Sequence, residues 1–150
     1  MSESVVDAAN TRLQTTIPVA WNMGVRFLEL RPGLARAQVP FEGNGNHFGV
    51  IYAGVTFTVA ETLGGALHLA TFDATTHYPL VKSMTIDFLK PGTGALTATT
   101  SLTDDEIATI RSAATPDAKV DFELVAEVTD DAGVVVARTR GDYQIRPFGR

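Results

Sequence analysis

The stretch that decides the fold is VIYAGVTFTVAETLGGALHLATF, residues 50–72. Its apolar side chains point in nearly every direction around a helix, so the sequence predicts one long helix that is buried all round. A carboxylate at Glu61 and adjacent glycines at Gly64 and Gly65 interrupt the apolar run. Each glycine lowers helix propensity by about 1 kcal/mol relative to alanine, a cost that is reasonable where another backbone comes close. The stretch therefore predicts a central helix that organises the rest of the chain.

Downstream of this helix the hydrophobic pattern changes to a period of two residues, which is typical of consecutive strands. We predict four strands, at residues 80–88, 96–103, 120–128 and 134–146. Between the second and the third, Thr103 and Glu106 form a capping box that predicts a short helix over residues 104–114. A hairpin turn is expected at residues 130–133.

Upstream of the central helix, the first 22 residues predict a helical segment that Ser4 caps and that Pro18 ends or restarts. Two strand-like runs at residues 25–30 and 34–39 flank a Pro-Gly pair that suits a type II turn. All these elements together predict a single α+β domain over residues 1–150, with an antiparallel sheet wrapped around the central helix. One sheet cannot enclose a helix that is apolar on all sides, so we expect a second copy of the chain to cover the remainder.

The composition excludes several classes of protein. With 45% hydrophobic and 19% charged residues, the chain is ordinary for a globular domain. It has no cysteine, which excludes disulfides and a cysteine nucleophile, and its three histidines show no metal-ligand spacing. A formal net charge of −5 without a basic block argues against nucleic acid as a partner. No apolar run matches a membrane span and the N terminus lacks a signal-peptide pattern, so we expect a cytoplasmic protein with no membrane contact.

Glu61 is the strongest candidate for chemistry. Desolvation disfavours an unpaired carboxylate in the middle of an apolar helix, so the residue has either a function or a structural partner. Burial would raise the pKa of Glu61 and make it a competent general base near neutral pH. A structural ion pair, or a notch in the helix surface, is the alternative interpretation.

The predicted start of the helix, Tyr52-Ala53-Gly54, is the second candidate. Backbone N–H groups there lack intrahelical partners, and the helix dipole favours negative charge. An oxyanion could therefore bind at this point, and the missing side chain of Gly54 would let a carbonyl approach closely. A plain turn with small packing residues is the alternative.

These residues resemble the hotdog-fold acyl-CoA thioesterases of the phenylacetyl-CoA and 4-hydroxybenzoyl-CoA types. The family pattern is Asn-x-x-Gly-x-x-His-Gly-Gly, with an Asp or Glu seven residues after the last glycine. This chain has Asn46-x-x-Gly49-x-x-Tyr52-Ala53-Gly54, then Glu61 (61 − 54 = 7), then TIDFLKPG at residues 85–92. The resemblance covers about residues 23–148. It implies a hotdog fold, an antiparallel sheet wrapped around a long central helix, to which the N-terminal helix and a helical insertion at residues 104–114 are added.

The resemblance also implies roles for individual residues. Glu61 would activate water or attack the thioester, the amide near Ala53 or Gly54 would polarise its carbonyl, and Asn46 would position the water or the carboxylate. We expect substrate contacts from Tyr52, Gly49, Thr58, Lys82 and Ser83. The reaction implied is hydrolysis of a small or medium acyl-CoA without a metal or another cofactor. Family sites form across a dimer interface, so we expect a homodimer or a tetramer.

Two departures from the family pattern keep a second function open. Tyr52 stands where the family has His, and Ala53 replaces the first Gly and narrows the approach to the oxyanion amide. A non-catalytic dimer that binds an acyl group or acyl-CoA is therefore the alternative to an enzyme.

A third function is suggested by His47-Phe48, because the interval from His47 to Glu61 (61 − 47 = 14) also resembles hotdog-fold acyl-carrier-protein dehydratases. Those enzymes have Pro-Gly shortly before the carboxylate, where this chain has Thr56-Phe57. The glycine position favours the thioesterase.

Lys82 carries the most specific expectation about the strands. By strand parity it shares the core-facing row with Leu80, Met84 and Ile86. A lysine on such a row needs an anion or an escape route for its ammonium group. We expect it either to extend to the surface or to reach Glu61 or the substrate.

Overall fold

A six-stranded antiparallel sheet wraps around one long helix in the structure, a computed structural model that describes residues 4–149. The helices are α1 (Val5–Thr16), α2 (Pro18–Asn22), α3 (Ala53–Thr71) and α4 (Asp104–Ala113). The strands are β1 (Arg26–Arg31), β2 (Leu34–Val39), β3 (His77–Phe88), β4 (Leu96–Ser101), β5 (Val120–Thr129) and β6 (Val135–Pro147). Their order across the sheet is β1-β2-β4-β5-β6-β3, and every neighbouring pair is antiparallel. The predicted α+β architecture is confirmed.

Local capping and turn chemistry sets the ends of these elements as the sequence predicts. The Ser4 hydroxyl accepts a hydrogen bond from the Asp7 amide at the start of α1, and α2 begins at Pro18. Thr103 and Glu106 form both hydrogen bonds of the capping box that opens α4. Gly33 adopts a φ of +81° between β1 and β2, a backbone conformation that favours glycine.

The central helix α3 packs against all six strands, but it is not buried on all sides in the single chain. Val59, Leu63 and Leu67 face the sheet and are fully buried. On the opposite side lies a row of half-buried or exposed residues, here called the open stripe: Gly54, Thr58, Glu61, Gly65 and Leu69. The spacing of three or four residues places them on one face of the helix. The sheet thus covers only part of α3.

The two glycines of α3 have different surroundings. A Cβ at Gly64 would lie 2.1 Å from Cε1 of Tyr143 on β6, and a Cβ at Gly141 would lie 2.5 Å from Cε2 of the same ring. The Tyr143 ring therefore occupies a slot that two glycines leave open, so Gly64 accommodates a side chain rather than the backbone that we expected. A Cβ at Gly65 would meet no atom within 4 Å.

A β-bulge changes the alternation of side chains along β3. Val81 lies opposite Tyr143 and Ser83 lies opposite Asp142, so Lys82 is an extra residue between two consecutive positions of β6. After such a bulge the residues of a strand exchange faces. The strand-parity prediction for Lys82 is therefore wrong, because it assumed an uninterrupted alternation.

His68 is a buried histidine near the end of α3. Its ring is 2% exposed, and the Nε2 atom has no hydrogen-bond partner. Burial, followed by the nearby positive charges of His77 and Arg12, lowers the pKa of His68 from 6.5 to about 4, against a smaller opposing effect of Asp73. The ring is therefore neutral in the folded protein at neutral pH.

None of the helices within residues 4–149 is long and apolar enough to cross a membrane.

We expect Gly64→Ala and Gly65→Ala to change stability in opposite directions. Alanine favours a helix over glycine by about 1 kcal/mol, so Gly65→Ala should raise the free energy of unfolding by up to that amount. Gly64→Ala should lower it by about 1–3 kcal/mol, because the added methyl group overlaps the Tyr143 ring. Urea unfolding of both variants measures the difference, and equal effects at the two positions would contradict the assigned slot.

The second prediction concerns pH. Because the pKa of His68 is lower in the folded chain, the unfolded chain binds more protons between pH 6.5 and about 4, so stability falls as the pH falls through this window. His68→Leu should flatten that part of the stability curve. Unfolding free energies measured from pH 7 to pH 4 test this, with His47→Gln in an exposed loop as the control. A His68→Leu curve parallel to that of the wild type would exclude this role.

Candidate active site

The loop before α3 is held in place by Asn44, a residue that the sequence analysis missed. Its buried side-chain amide donates hydrogen bonds to the carbonyl oxygens of Met23, at 2.7 Å, and Pro40, at 2.8 Å. The main-chain carbonyl of Asn44 accepts a hydrogen bond from the Tyr52 amide at 2.9 Å. Asn44 thus anchors the residue that immediately precedes the helix. The only sequence signal is its position between two glycines, which by itself indicates a turn.

Asn46 closes the next part of the loop. Its side-chain oxygen accepts hydrogen bonds from the amides of Phe48, at 2.9 Å, and Val50, at 3.3 Å. Gly49 within this turn has a φ of +73°, which favours glycine. The spacing from Asn46 to Gly49 therefore has a local structural basis, and Asn46 also lines a pocket at the start of α3.

This pocket lies between the first turn of α3 and the end of β3. Asn46, Ala53 and Thr56 line one side of it, and residues 88–92 line the other. The amides of Val55 and Thr56 both donate to the Tyr52 carbonyl. The amides of Ala53 and Gly54 precede them and have no intrahelical acceptor, because the first N–H groups of any helix lack one. The two amides that were predicted to bind an oxyanion thus belong to the first turn of α3.

Tyr52 lies beside the helix start. A Cβ on Gly54 would lie 2.7 Å from Cε1 of the Tyr52 ring, and the Tyr52 residue is 58% exposed. Gly54 thus provides space for this ring, and the close approach of a carbonyl to Gly54 stays a prediction. Thr58 is one turn further along the open stripe, and its hydroxyl donates to the Gly54 carbonyl at 2.7 Å.

Glu61 lies in the middle of the open stripe. Burial raises its pKa above the ordinary value of 4.5. No ion pair among residues 4–149 includes this carboxylate. The structural ion pair considered as an alternative is therefore absent from the described part of the chain.

Tyr143 is the second residue that the sequence analysis missed. Its hydroxyl donates a hydrogen bond to the main-chain carbonyl of Glu61 at 3.4 Å, and its ring fills the slot beside Gly64. Burial, and then the nearby charge of Glu61, raise the pKa of Tyr143. Tyr143 thus connects the sheet to the helical turn that carries Glu61. No local motif indicates this contact, because the two residues are separated by 82 positions.

Glu61 and the helix start are separated within one chain. Seven residues of helix correspond to about 10.5 Å along the axis, so Glu61 and the Gly54 amide do not meet at one carbonyl group in the single chain.

Lys82 and Ser83 lie apart from the other candidate residues. Both form polar contacts with exposed acidic residues, Lys82 with Asp121 at 3.3 Å and Ser83 with Asp142 at 2.8 Å. Met84, beyond the bulge, packs against the core instead. The Lys82 side chain thus points away from Glu61 in this chain.

Among residues 4–149 there is no group of three His, Asp or Glu side chains arranged to hold a metal ion.

The chain matches a known protein family over most of its length. The sequence profile described as "Domain of unknown function (DUF4442)" covers residues 7–145. The chain belongs to the DUF4442 family. No protein with a curated description matches it by sequence.

Solved structures similar to this DUF4442 chain share its whole fold. A Pseudomonas aeruginosa protein of unknown function, described as a probable thioesterase, is 36% identical, with a TM-score of 0.86 over 93% of this chain and 94% of that chain. A mutant thioesterase from the same organism is 16% identical, with a TM-score of 0.77 over 99% and 97%. A thioesterase from Haemophilus influenzae is 12% identical, with a TM-score of 0.77 over 100% and 95%. These neighbours are hotdog-fold proteins, so the predicted fold is confirmed.

Proposed function

We propose that this DUF4442 protein is a thioesterase that hydrolyses a small or medium acyl-CoA to the free acid and CoA, with Glu61 as the catalytic carboxylate. The observation that carries the proposal is Glu61 itself, a half-buried carboxylate without an ion-pair partner in the described chain, with its pKa raised by burial. The description of a 36% identical structure as a probable thioesterase supports the same reaction. The proposal places the reaction in the cytoplasm and requires no metal or other cofactor.

The chemistry follows from the two parts of the site. Ionised Glu61 takes a proton from water, and the hydroxide oxygen forms a bond to the thioester carbonyl carbon. The negative charge that develops on the carbonyl oxygen is stabilised by the free amides near Ala53 and Gly54 and by the dipole of α3. The intermediate then breaks its carbon–sulfur bond, and the CoA thiolate takes back the proton from Glu61. Asn46 lines the same pocket, and in this proposal it orients the carbonyl or the water.

The proposal requires two copies of the chain. Because Glu61 is about 10.5 Å along α3 from Gly54, the Glu61 carboxylate and the Gly54 amide of one chain cannot both contact one thioester. A homodimer in which the open stripe faces a second copy would bring Glu61 of one chain to the helix start of the other. The β3 strand supports this arrangement, since it is an edge strand whose Val81 and Phe88 are exposed, as is Leu89 directly after it. Exposed apolar edge strands in native proteins are usually covered.

One observation favours the alternative of a non-catalytic acyl-binding dimer. The Tyr52 ring lies against Gly54 and narrows the approach to the helix start. A dehydratase has no comparable support, because His47 is exposed and its ring contacts Phe48 in a tilted arrangement, with ring centroids 4.0 Å apart.

Glu61→Gln should retain the fold and reduce kcat by at least about a hundredfold, the usual range for losing a general base. The raised pKa of Glu61 predicts a further property of the wild type. Only the ionised carboxylate accepts a proton, so kcat/KM should fall on the acidic side with a midpoint above pH 4.5. Release of CoA thiol from a panel of acyl-CoA substrates measures both effects.

Asp87→Asn, at an exposed carboxylate on β3, is the matched control and should keep full activity. A folded Glu61→Gln variant with unchanged turnover would refute the assignment. Binding of acyl-CoA without hydrolysis of any substrate in the wild type would establish the binding dimer instead.

Sedimentation should show at least a dimer at micromolar concentration. Val81→Lys, on the edge strand, should weaken association about tenfold, as is common for a central interface residue. Val125→Lys on the inner strand β5 is the control, since Val125 has a similar exposure, 44% against 37% for Val81. A purely monomeric wild type would contradict the two-chain site.

A further inference from the structure

A groove runs between α1 and α3 beside the open stripe. Leu13 and Ile17 line it on one side, and Gly65, Ala66 and Leu69 line it on the other. We name it the α1–α3 groove. It begins next to Glu61, because its lining includes Thr62, and Gly65 lies one helical turn beyond Glu61 on the same face of α3.

Gly65 keeps the groove open. A Cβ at this position would meet no atom within 4 Å, and the residue is exposed. Any larger side chain there would project into the groove. The preceding glycine, Gly64, is explained by the Tyr143 ring, but no contact within the described chain accounts for Gly65. Either a bound molecule that passes over residue 65 or the second copy that faces the open stripe in the proposed homodimer would account for it.

The lining of the groove is mostly apolar, with two threonines and one charged residue, Arg12. The two threonines that line it both donate their hydroxyl hydrogens to main-chain carbonyls, Thr16 to Arg12 at 2.7 Å and Thr62 to Val59 at 3.1 Å. The Arg12 guanidinium, in contrast, takes part in no ion pair or side-chain hydrogen bond among residues 4–149. Arg12 is therefore the charged residue among those that line the α1–α3 groove.

Arg12 shares the lining of the groove with Leu69, which is eight residues beyond Glu61 on α3. Its positive charge is also among the causes that lower the pKa of His68, the residue before Leu69. From Glu61 to Leu69 the helix rises about 12 Å. With carbon–carbon bonds near 1.5 Å, an extended chain of about ten carbons covers this distance. The groove thus has a carboxylate beyond one end and, at the other, a cation that has no ion-pair partner among residues 4–149.

We propose that the α1–α3 groove binds the acyl chain of the substrate, and that Arg12 binds an anionic group, such as a carboxylate, at the far end of that chain. The position of the thioester at Glu61 rests on the proposed function. The charges at the two ends fix the direction of the ligand, because an anionic tail is attracted to Arg12 and repelled by ionised Glu61. The preferred substrate is therefore the CoA thioester of a medium-chain dicarboxylic acid rather than of a plain fatty acid.

Calorimetric binding of two amides tests the proposal without requiring hydrolysis. The first is decanamide, and the second is the monoamide of decanedioic acid, which has the same chain but ends in a carboxylate. The wild type should bind the monoamide more tightly than decanamide. Arg12→Gln should weaken binding of the monoamide about fivefold, which is the effect expected from the loss of an exposed ion pair. It should leave the binding of decanamide unchanged. Arg138→Gln, at an exposed arginine on β6, is the charge control and should change neither.

Variants at residue 65 test the position of the chain. Gly65→Leu should weaken both amides at least tenfold by filling the groove, and Gly65→Ala should have a smaller effect in the same direction. Equal binding of the two amides, no effect of Arg12→Gln, or no binding of either amide would overturn the proposal. A Gly65→Leu protein that becomes monomeric in sedimentation would show that a second copy fills the groove and would also overturn it. An enzyme inactive on every acyl-CoA that still discriminates between the amides would refute only the proposed function.

Discussion

The structure depends on the burial of one face of α3 by all six strands of the sheet. Val59, Leu63 and Leu67 are fully buried there, and each contributes about 1.5–3 kcal/mol of hydrophobic free energy relative to an exposed side chain. Because the sheet reaches around only part of the helix, the same packing leaves the open stripe partly desolvated. Glu61 lies on that stripe, so its raised pKa is a consequence of how the core is built.

The fixed position of Glu61 comes from contacts that cross the core. Gly64 and Gly141 leave a slot for the Tyr143 ring, whose hydroxyl reaches the main chain of Glu61. The ring also packs with Phe122 on β5, with ring centroids 5.9 Å apart. A helix held in this way cannot rotate or slide without disturbing a buried aromatic ring. The turn that carries the carboxylate is thus among the rigid parts of the molecule, which is favourable for a catalytic or binding group.

The start of α3 has an independent anchor. Asn44 ties the loop to the main chain of residues 23 and 40, and Asn46 closes the following turn through its side-chain oxygen. Both asparagines satisfy backbone groups that would otherwise be unpaired next to the pocket. Together they present the free amides of the first helical turn in a defined direction. The two groups of the proposed chemistry, Glu61 and the start of α3, therefore rest on different parts of the fold, and the proposed homodimer would bring them together.

The amino-acid sequence by itself determined the elements and their limits, because caps, Pro-Gly pairs and hydrophobic periods act within a few residues. Ser4, Pro18 and the Thr103 capping box lie where predicted, and the resemblance of the motif from Asn46 to Glu61 to a known family implied the hotdog fold. Only the tertiary structure decided the features that depend on contacts between distant segments. The bulge at Lys82 reverses its predicted face, since nothing local marks the extra residue. Likewise, Gly64 and Gly65 look alike in sequence, yet one makes room for Tyr143, which is far away in the chain, and the other opens onto the α1–α3 groove.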